Sequence, residues 1–227
     1  MRKWVLWGHH LNEYMDMFGL TSDLTRLKLL EFGCGPTAIN QELTAKGGDV
    51  ISCDPWFEAN QEHMQQRFLK HFNQQLTRVE QYPERFDFNK YGGMNFFIEK
   101  RQQGMQTFFK DFANGYTSGR YCGLAEDKLP FASARFDLAL CSNYFFADLP
   151  EQNLDFHLHW IHELCRVAGE LRIYPLTDQE GQVSHLLGQV LLALQQNHYE
   201  VAIENVAFRL VPASEAVLRV RAGYCHL

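Results

Sequence analysis

The sequence predicts an α/β domain, built as a doubly wound, mostly parallel seven-stranded sheet with helices on both faces. Three observations lead there. Short apolar runs ending next to Gly, Asp, Ser or Pro alternate with longer segments of helical period, strand first and then helix. The first run, Leu29-Leu30-Glu31-Phe32, passes straight into Gly33-Cys34-Gly35-Pro36, where glycine allows a tight turn and proline suits the first turn of a helix. A second run, Val50-Ile51-Ser52-Cys53, ends on Asp54, which follows Gly33 by about the ~20 residues that set a second-strand carboxylate against ribose hydroxyls.

In chain order, strands are expected near Lys28–Phe32, Asp49–Cys53, Tyr121–Leu124, Asp137–Cys141 and Glu170–Tyr174. Two more follow near Tyr199–Val206 and Ala216–Val220. The link between them is short and has no helical pattern, so they form an antiparallel hairpin. Helices are expected over about Ala38–Lys46, Glu151–Val167 and Ser184–Asn197. The last carries Leu187, Val190, Leu191 and Leu194 on one face, which reads as core rather than ligand contact.

One connection is too long for a plain crossover: 66 residues lie between Asp54 and Tyr121. Met64, Phe68, Phe72, Leu76 and Val79 recur at helical spacing, and Phe97, Met105, Phe108, Phe109 and Phe112 do so again after Gly92-Gly93. Two inserted helices fit this pattern. Leaving from the carboxyl end of the second strand, they lie over the edge where doubly wound sheets bind ligands. They serve there as a lid or as an extension of the core. The expected organisation is one domain over 1–227, with an N-terminal helical cap over about 1–26 and a helical insertion over about 56–118.

With 227 residues and 46% apolar content the chain can bury a full core. A net charge of −6 argues against a broad nucleic-acid or anionic-membrane footprint. Met1 to Gly8 lacks the apolar core and small-residue cleavage site of a signal peptide, and Val190 to Leu194 is far too short to span a bilayer. The expected location is cytoplasmic, with no nucleic-acid or membrane partner. Nothing in the sequence sets an oligomeric state. The six cysteines are scattered without a Cys-x-x-Cys pair and read as small buried hydrophobes, and no metal site is expected. His157, His159 and His162 stand at offsets that do not share a helical face, so they read as solvent-side or capping residues.

The glycine turn alone also satisfies the loose dinucleotide fingerprint G-x-G-x-x-A through Gly33 to Ala38. The acids favour another ligand. S-adenosylmethionine (SAM) carries a sulfonium and an α-ammonium group and no phosphate, so carboxylates at Glu31 and Asp54 suit it better than a pyrophosphate. The chain also has no Tyr-x-x-x-Lys pair for hydride transfer.

These segments resemble the class I SAM-dependent methyltransferases, nearly end to end. The resemblance rests on Glu31-Phe32-Gly33-Cys34-Gly35, on Asp54, on Gly123-Leu124-Ala125-Glu126-Asp127-Lys128-Leu129-Pro130-Phe131, on Phe136 to Ser142, and on Glu163-Leu164-Cys165-Arg166-Val167 through Leu176. A bacterial subgroup of unassigned substrate is also similar in Trp7-Gly8, Glu13-Tyr14, Met17-Phe18, Cys53-Asp54-Pro55 and Gly119-Arg120-Tyr121. The resemblance implies a Rossmann-like fold and a SAM site made by Glu31, Gly33, Cys34, Gly35, Asp54, Pro55, Leu124, Ala125, Glu126 and Ser142. In it Asp54 accepts the ribose hydroxyls, methionine lies against the glycine turn, and Glu31 faces the cofactor directly or through water. Leu124, Ala125 and Glu126 flank adenine, and Ser142 to Tyr144 floor the transfer site. The chain departs from the pattern where Leu124 replaces an acid that accepts from the adenine amino group. Pro36-Thr37 replaces a third glycine, and Ala168-Gly169 shortens a Pro-Gly-Gly.

Methyl transfer asks little of side chains beyond positioning and desolvation. If the acceptor carries a proton, the candidates near the pocket are His10, Tyr14, Asn143 and Tyr144, with Asn143 able to orient but not to act as a base. The plainer reading of His9 and His10 is a solvated pair at a helix start. The expected function is methylation of a small molecule, since there is no basic stripe and no Asn/Asp-Pro-Pro-Tyr/Phe segment. The alternatives are a noncatalytic SAM- or partner-binding protein on the same fold and, further off, a nicotinamide oxidoreductase.

Overall fold

A computed structural model describes residues 7–21, 23–124, 127–147, 149, 151–178, 181–211 and 214–222. Its strands are β1 Lys28–Phe32, β2 Asp49–Cys53, β3 Tyr121–Cys122, β4 Phe136–Ser142, β5 Ala168–Tyr174, β6 Tyr199–Asn205 and β7 Ala216–Ala222. They form one seven-stranded sheet in the order β3-β2-β1-β4-β5-β7-β6. The first five run parallel, and β7 inserts antiparallel between β5 and β6. This is the expected Rossmann-like doubly wound sheet with its C-terminal hairpin. Strand order reverses between β1 and β4, so their carboxyl ends, paired at Phe32 and Cys141, flank the crevice where such sheets bind ligands.

The helices are α1 Leu11–Met17, α2 Ile39–Ala45, α3 Gln61–Gln81, α4 Met94–Thr117, α5 Leu154–Val167 and α6 Leu187–Gln196. α5 starts three residues later than its apolar pattern predicts, because the Asn153 side chain accepts from the Phe156 amide and caps the helix there. β3 is two residues shorter than predicted, ending at Cys122.

Three apolar clusters hold these layers. On one face Trp160, Ile161 and Leu164 of α5 and Val190 and Leu194 of α6 cover β1, β4, β5 and β7. On the other, Tyr14 and Met17 of α1, Phe18 just after it, and Ile39 and Leu43 of α2 pack on β1, β2 and β4. The third lies within the insertion, where Phe68 and Phe72 of α3 meet Phe97, Phe108 and Phe112 of α4 together with Trp7, Cys34 and Phe57. The insertion thus has a packed aromatic core of its own, continuous with the glycine turn through Cys34. Among the described residues no helix is long and apolar enough to cross a membrane.

α4 carries a glycine at its middle, and the reason is long-range. A Cβ at Gly104 would stand 2.1 Å from the carbonyl oxygen of Gly8, and a Cβ at Gly8 would stand 1.9 Å from the carbonyl oxygen of Arg101. The backbone at Gly8 lies directly against that of α4 at Arg101 and Gly104.

Candidate functional site

β1 delivers the chain into the turn at Gly33 and Gly35, with φ of +64° and +65°, which glycine adopts without steric cost. The Gly33 amide donates to the carbonyl of Cys53 at 2.9 Å. Asp54, fully buried, accepts from the Gly35 amide at 2.9 Å through Oδ2 and from the Trp56 amide at 2.8 Å through Oδ1. One carboxylate therefore pins the glycine turn to the end of β2. Between Leu29 and Leu43 the chain has no lysine or arginine.

Glu31 points beneath this turn and is 1% exposed. Its Oε1 accepts from Thr37 Oγ1 at 2.8 Å and its Oε2 from Ser52 Oγ at 2.6 Å, while Asn40 donates to Ser52 Oγ at 3.0 Å. Burial raises its pKa, and hydrogen bonds from Ser52, Tyr14 and Thr37 oppose that rise. Tyr14, brought in by α1, bonds its hydroxyl to Ser142 Oγ at the end of β4, 2.7 Å away. Burial and the Glu31 charge push the Tyr14 phenol well above its ordinary pKa. Burial does the same to the Cys34 thiol. Glu31, Tyr14 and Ser142 form one water-excluded polar cluster under the crevice.

Two rings lie on the turn itself. The position a Cβ would take at Gly33 is 2.6 Å from the Tyr144 ring, and that at Gly35 is 2.5 Å from Trp7 Nε1. Tyr144 belongs to the loop after β4, where Asn143 and Phe146 hold φ of +60° and +59°. Such backbone needs outside support. Gln152 supplies part of it, donating to the Tyr144 carbonyl at 2.6 Å and accepting from the Ala147 amide at 3.0 Å. His157 supplies the rest, its Nε2 accepting from the Phe146 amide at 3.1 Å. With Nε2 an acceptor, Nδ1 carries the proton and donates to the Asn153 carbonyl at 2.7 Å, so the ring is neutral.

This corrects the reading of His157 as solvent-side or capping: it is fully buried in α5. His157→Phe, which keeps a ring but no acceptor, should cost about 1–3 kcal/mol by leaving the Phe146 amide unpaired. Urea denaturation would check it.

The structure brings Tyr14, Glu31, Gly33, Cys34, Gly35, Asp54, Ser142, Asn143 and Tyr144 to one end of the sheet. Pro55 follows Asp54 in the turn closed by the Phe57 amide on the Asp54 carbonyl at 3.0 Å. Leu124 packs, partly buried, against the α5-side core. Ala125 and Glu126 lie outside the described residues. His10 is engaged elsewhere, its Nδ1 2.6 Å from Glu42 Oε1 and its Nε2 3.1 Å from the Lys100 carbonyl. There it lines a cavity of about 580 Å³ with Glu13, Lys90, Tyr91, Phe96 and Lys100. His9 is 4% exposed and so is not solvated as its sequence suggested, whereas His10 stays partly open to solvent. Sequence reasoning missed Trp7, Thr37, Ser52, Gln152 and His157 as parts of this end of the sheet. Among the described residues no group of side chains could hold a metal ion.

No family model matches the chain. An uncharacterised protein of Methanocaldococcus jannaschii is 25% identical over 218 residues, covering 96% of each chain. Among solved structures, the chain is similar to a SAM-dependent methyltransferase from Aquifex aeolicus (TM-score 0.43, 18% identity, 93% of this chain and 87% of that one). A second is a TehB-like SAM-dependent methyltransferase from Corynebacterium glutamicum (0.46, 16%, 96% and 90%). A third is the 1,6-didemethyltoxoflavin-N1-methyltransferase of Burkholderia thailandensis, solved with that substrate and S-adenosylhomocysteine (0.41, 15%, 87% and 72%). These structural neighbours are SAM-dependent methyltransferases.

Proposed function

We propose that this chain binds SAM in the crevice between β1 and β4 and transfers its methyl group to a small-molecule acceptor. The observation that carries the reading is Asp54. It is a buried carboxylate at the end of β2, hydrogen-bonded to a glycine turn without a basic residue, at the edge where strand order reverses. That acceptor fits the hydroxyls of a ribose and suits a cationic, phosphate-free ligand.

When bound, the cofactor supplies an electrophilic methyl on a sulfonium. The residues of the chain do the rest. Asp54 would accept from the ribose hydroxyls, and the Gly33–Gly35 backbone would lie along the methionine. Trp7 and Tyr144 would close over the turn and exclude water, as part of a cover made by the N-terminal segment and the insertion. Asn143 and Ser142 would orient the acceptor's polar hydrogen at the end of β4, with Tyr14 behind Ser142.

The test is calorimetric titration with SAM, S-adenosylhomocysteine and NAD(P). Micromolar SAM binding is expected. Asp54→Asn should weaken it by about 10- to 100-fold, the worth of roughly 1.5–3 kcal/mol for hydrogen bonds to a charged group. Asn is chosen over Ala because its Oδ1 can still accept from one of the Gly35 and Trp56 amides that Asp54 holds. Folded wild-type protein that binds NAD(P) and not SAM would overturn the cofactor. SAM binding with no S-adenosylhomocysteine formed on any small-molecule extract would leave a noncatalytic binder.

A further inference from the structure

Cys53 and Cys122 occupy partner positions on the adjacent parallel strands β2 and β3. Partner residues point to the same face of the sheet, and neighbouring strands lie about 4.8 Å apart. That spacing falls inside the roughly 4.4–6.8 Å between Cα atoms that a disulfide spans, and closing the bond draws the Cβ atoms together from about 4.8 Å to the roughly 3.5–4.5 Å it needs. Each thiol perturbs the titration of the other. Cys53 is fully buried, whereas Cys122 is partly exposed to solvent. We propose that Cys122 and Cys53 form a peroxide-reactive dithiol, with Cys122 the attacking sulfur and Cys53 the resolving one.

The chemistry balances. Cys122, as thiolate, attacks one oxygen of hydrogen peroxide; an S–O bond forms, the O–O bond breaks and hydroxide leaves. Cys53 gives up its proton to that hydroxide and attacks the Cys122 sulfur; the S–S bond forms, the S–O bond breaks, and the departing hydroxide leaves as water after protonation. Overall two thiols lose two electrons, peroxide gains them, and two waters are released.

The surroundings select this pair among the described cysteines. The neighbouring Cys53 thiol draws the Cys122 thiol below its ordinary pKa, against the opposing effect of burial. Burial pushes the Cys165 thiol up to about 12 and the Cys34 thiol well above its usual range. The position also matters for the crevice. The Cys53 carbonyl accepts from the Gly33 amide, and the Cys122 carbonyl accepts from the Asp54 amide at 3.2 Å. The bond would join the two peptide groups that seat the glycine turn and the carboxylate.

The experiment treats wild-type protein with hydrogen peroxide, blocks remaining thiols with iodoacetamide, and maps peptides by mass spectrometry without reduction. The expected product is a Cys53–Cys122 linked peptide about 2 Da lighter than its two thiol parts, returned to them by dithiothreitol. Cys53→Ser should leave Cys122 as a sulfenic acid that dimedone traps. Cross-links through other cysteines, or Cys122 recovered as the alkylated thiol from oxidised wild type, would overturn the proposal. The wild-type map needs no variant to fold, and it needs no SAM. Failure of SAM binding would therefore leave this result standing, and the reverse holds too.

Discussion

Replacing Gly104 by alanine is expected to lower the melting temperature by roughly 2–12 °C and to loosen the N-terminal segment. The added Cβ would meet the Gly8 carbonyl at 2.1 Å, and the obstacle is backbone rather than a flexible side-chain tip. Either Gly8 or the middle of α4 must move by an ångström or more. Gly8 itself stands at φ +88°, with the Arg101 carbonyl where its own Cβ would be, so it has no room to yield. Overpacking of this kind costs about 1–3 kcal/mol or somewhat more, and a chain of this size loses about 2–4 °C per kcal/mol. Trp7 adjoins Gly8 and packs on Gly35, so the same change should expose its indole. Increased iodide quenching of tryptophan fluorescence would report that. Gly188→Ala is the control, since Gly188 lies in α6 with nothing near its Cβ position. There alanine should stabilise by about 0.5–1 kcal/mol, because it is the better helix former. If Gly104→Ala behaved like Gly188→Ala, the backbone contact between the N-terminal segment and α4 would be wrong.

That contact also marks the limit of what the sequence could tell. Strands β1 and β2 were legible to the residue, because a parallel strand buried on both faces is a bare apolar run cut off by a turn, and Gly33 and Asp54 supplied the cuts. The two inserted helices were legible from the spacing of their phenylalanines. Pairings between residues distant in the chain were not. Gly104 in a helix reads as a weakness until Gly8, 96 residues earlier, is known to lie against it. His157 reads as solvated because nothing nearby in sequence announces that its partner is the backbone of a strained loop. At the crevice, Gly33, Gly35 and Asp54 could be found because their spacing is local and periodic. Trp7, Thr37 and Ser52 could not, since they act through shape and hydrogen bonds that only the folded chain brings together.

His9 was misread for the same reason, and its true setting gives the other large expected effect. Arg101, 1% exposed in α4, donates through both terminal nitrogens to the carboxylate of Glu13 and stacks 4.4 Å over the Phe97 ring. Glu13 in turn accepts from the His10 amide at 3.0 Å, starting α1. Arg101→Leu should cost about 3–5 kcal/mol, because it leaves Glu13 charged and without its cation in a mostly buried place. The melting temperature should fall by roughly 6–20 °C. Arg101→Leu combined with Glu13→Leu should recover much of that loss, since two apolar residues leave no stranded charge. A double variant no more stable than Arg101→Leu alone would refute the argument.

The pH dependence follows from the same cluster. Burial and the Arg101 charge lower the His9 pKa from 6.5 to about 4, so the unfolded chain binds this proton first as pH falls. The contribution of His9 is therefore present above pH 6.5 and is lost between 6.5 and 4. A shift of that size amounts to about 3 kcal/mol. Glu13 acts in the same sense lower down. Burial alone would raise its pKa, but Arg101 and His9 hold it well below the usual carboxylate range. Its contribution is present above the ordinary carboxylate pKa and is lost as pH falls below it. His10 runs the other way: Glu42 raises its pKa, so its smaller, half-exposed contribution is lost as pH rises. Urea midpoints measured from pH 8 to 4 should fall steeply below about 6.5 in the wild type. His9→Phe, which removes the group that must be charged, should flatten that part of the curve. An unchanged slope in His9→Phe would locate the acid sensitivity in the carboxylates alone.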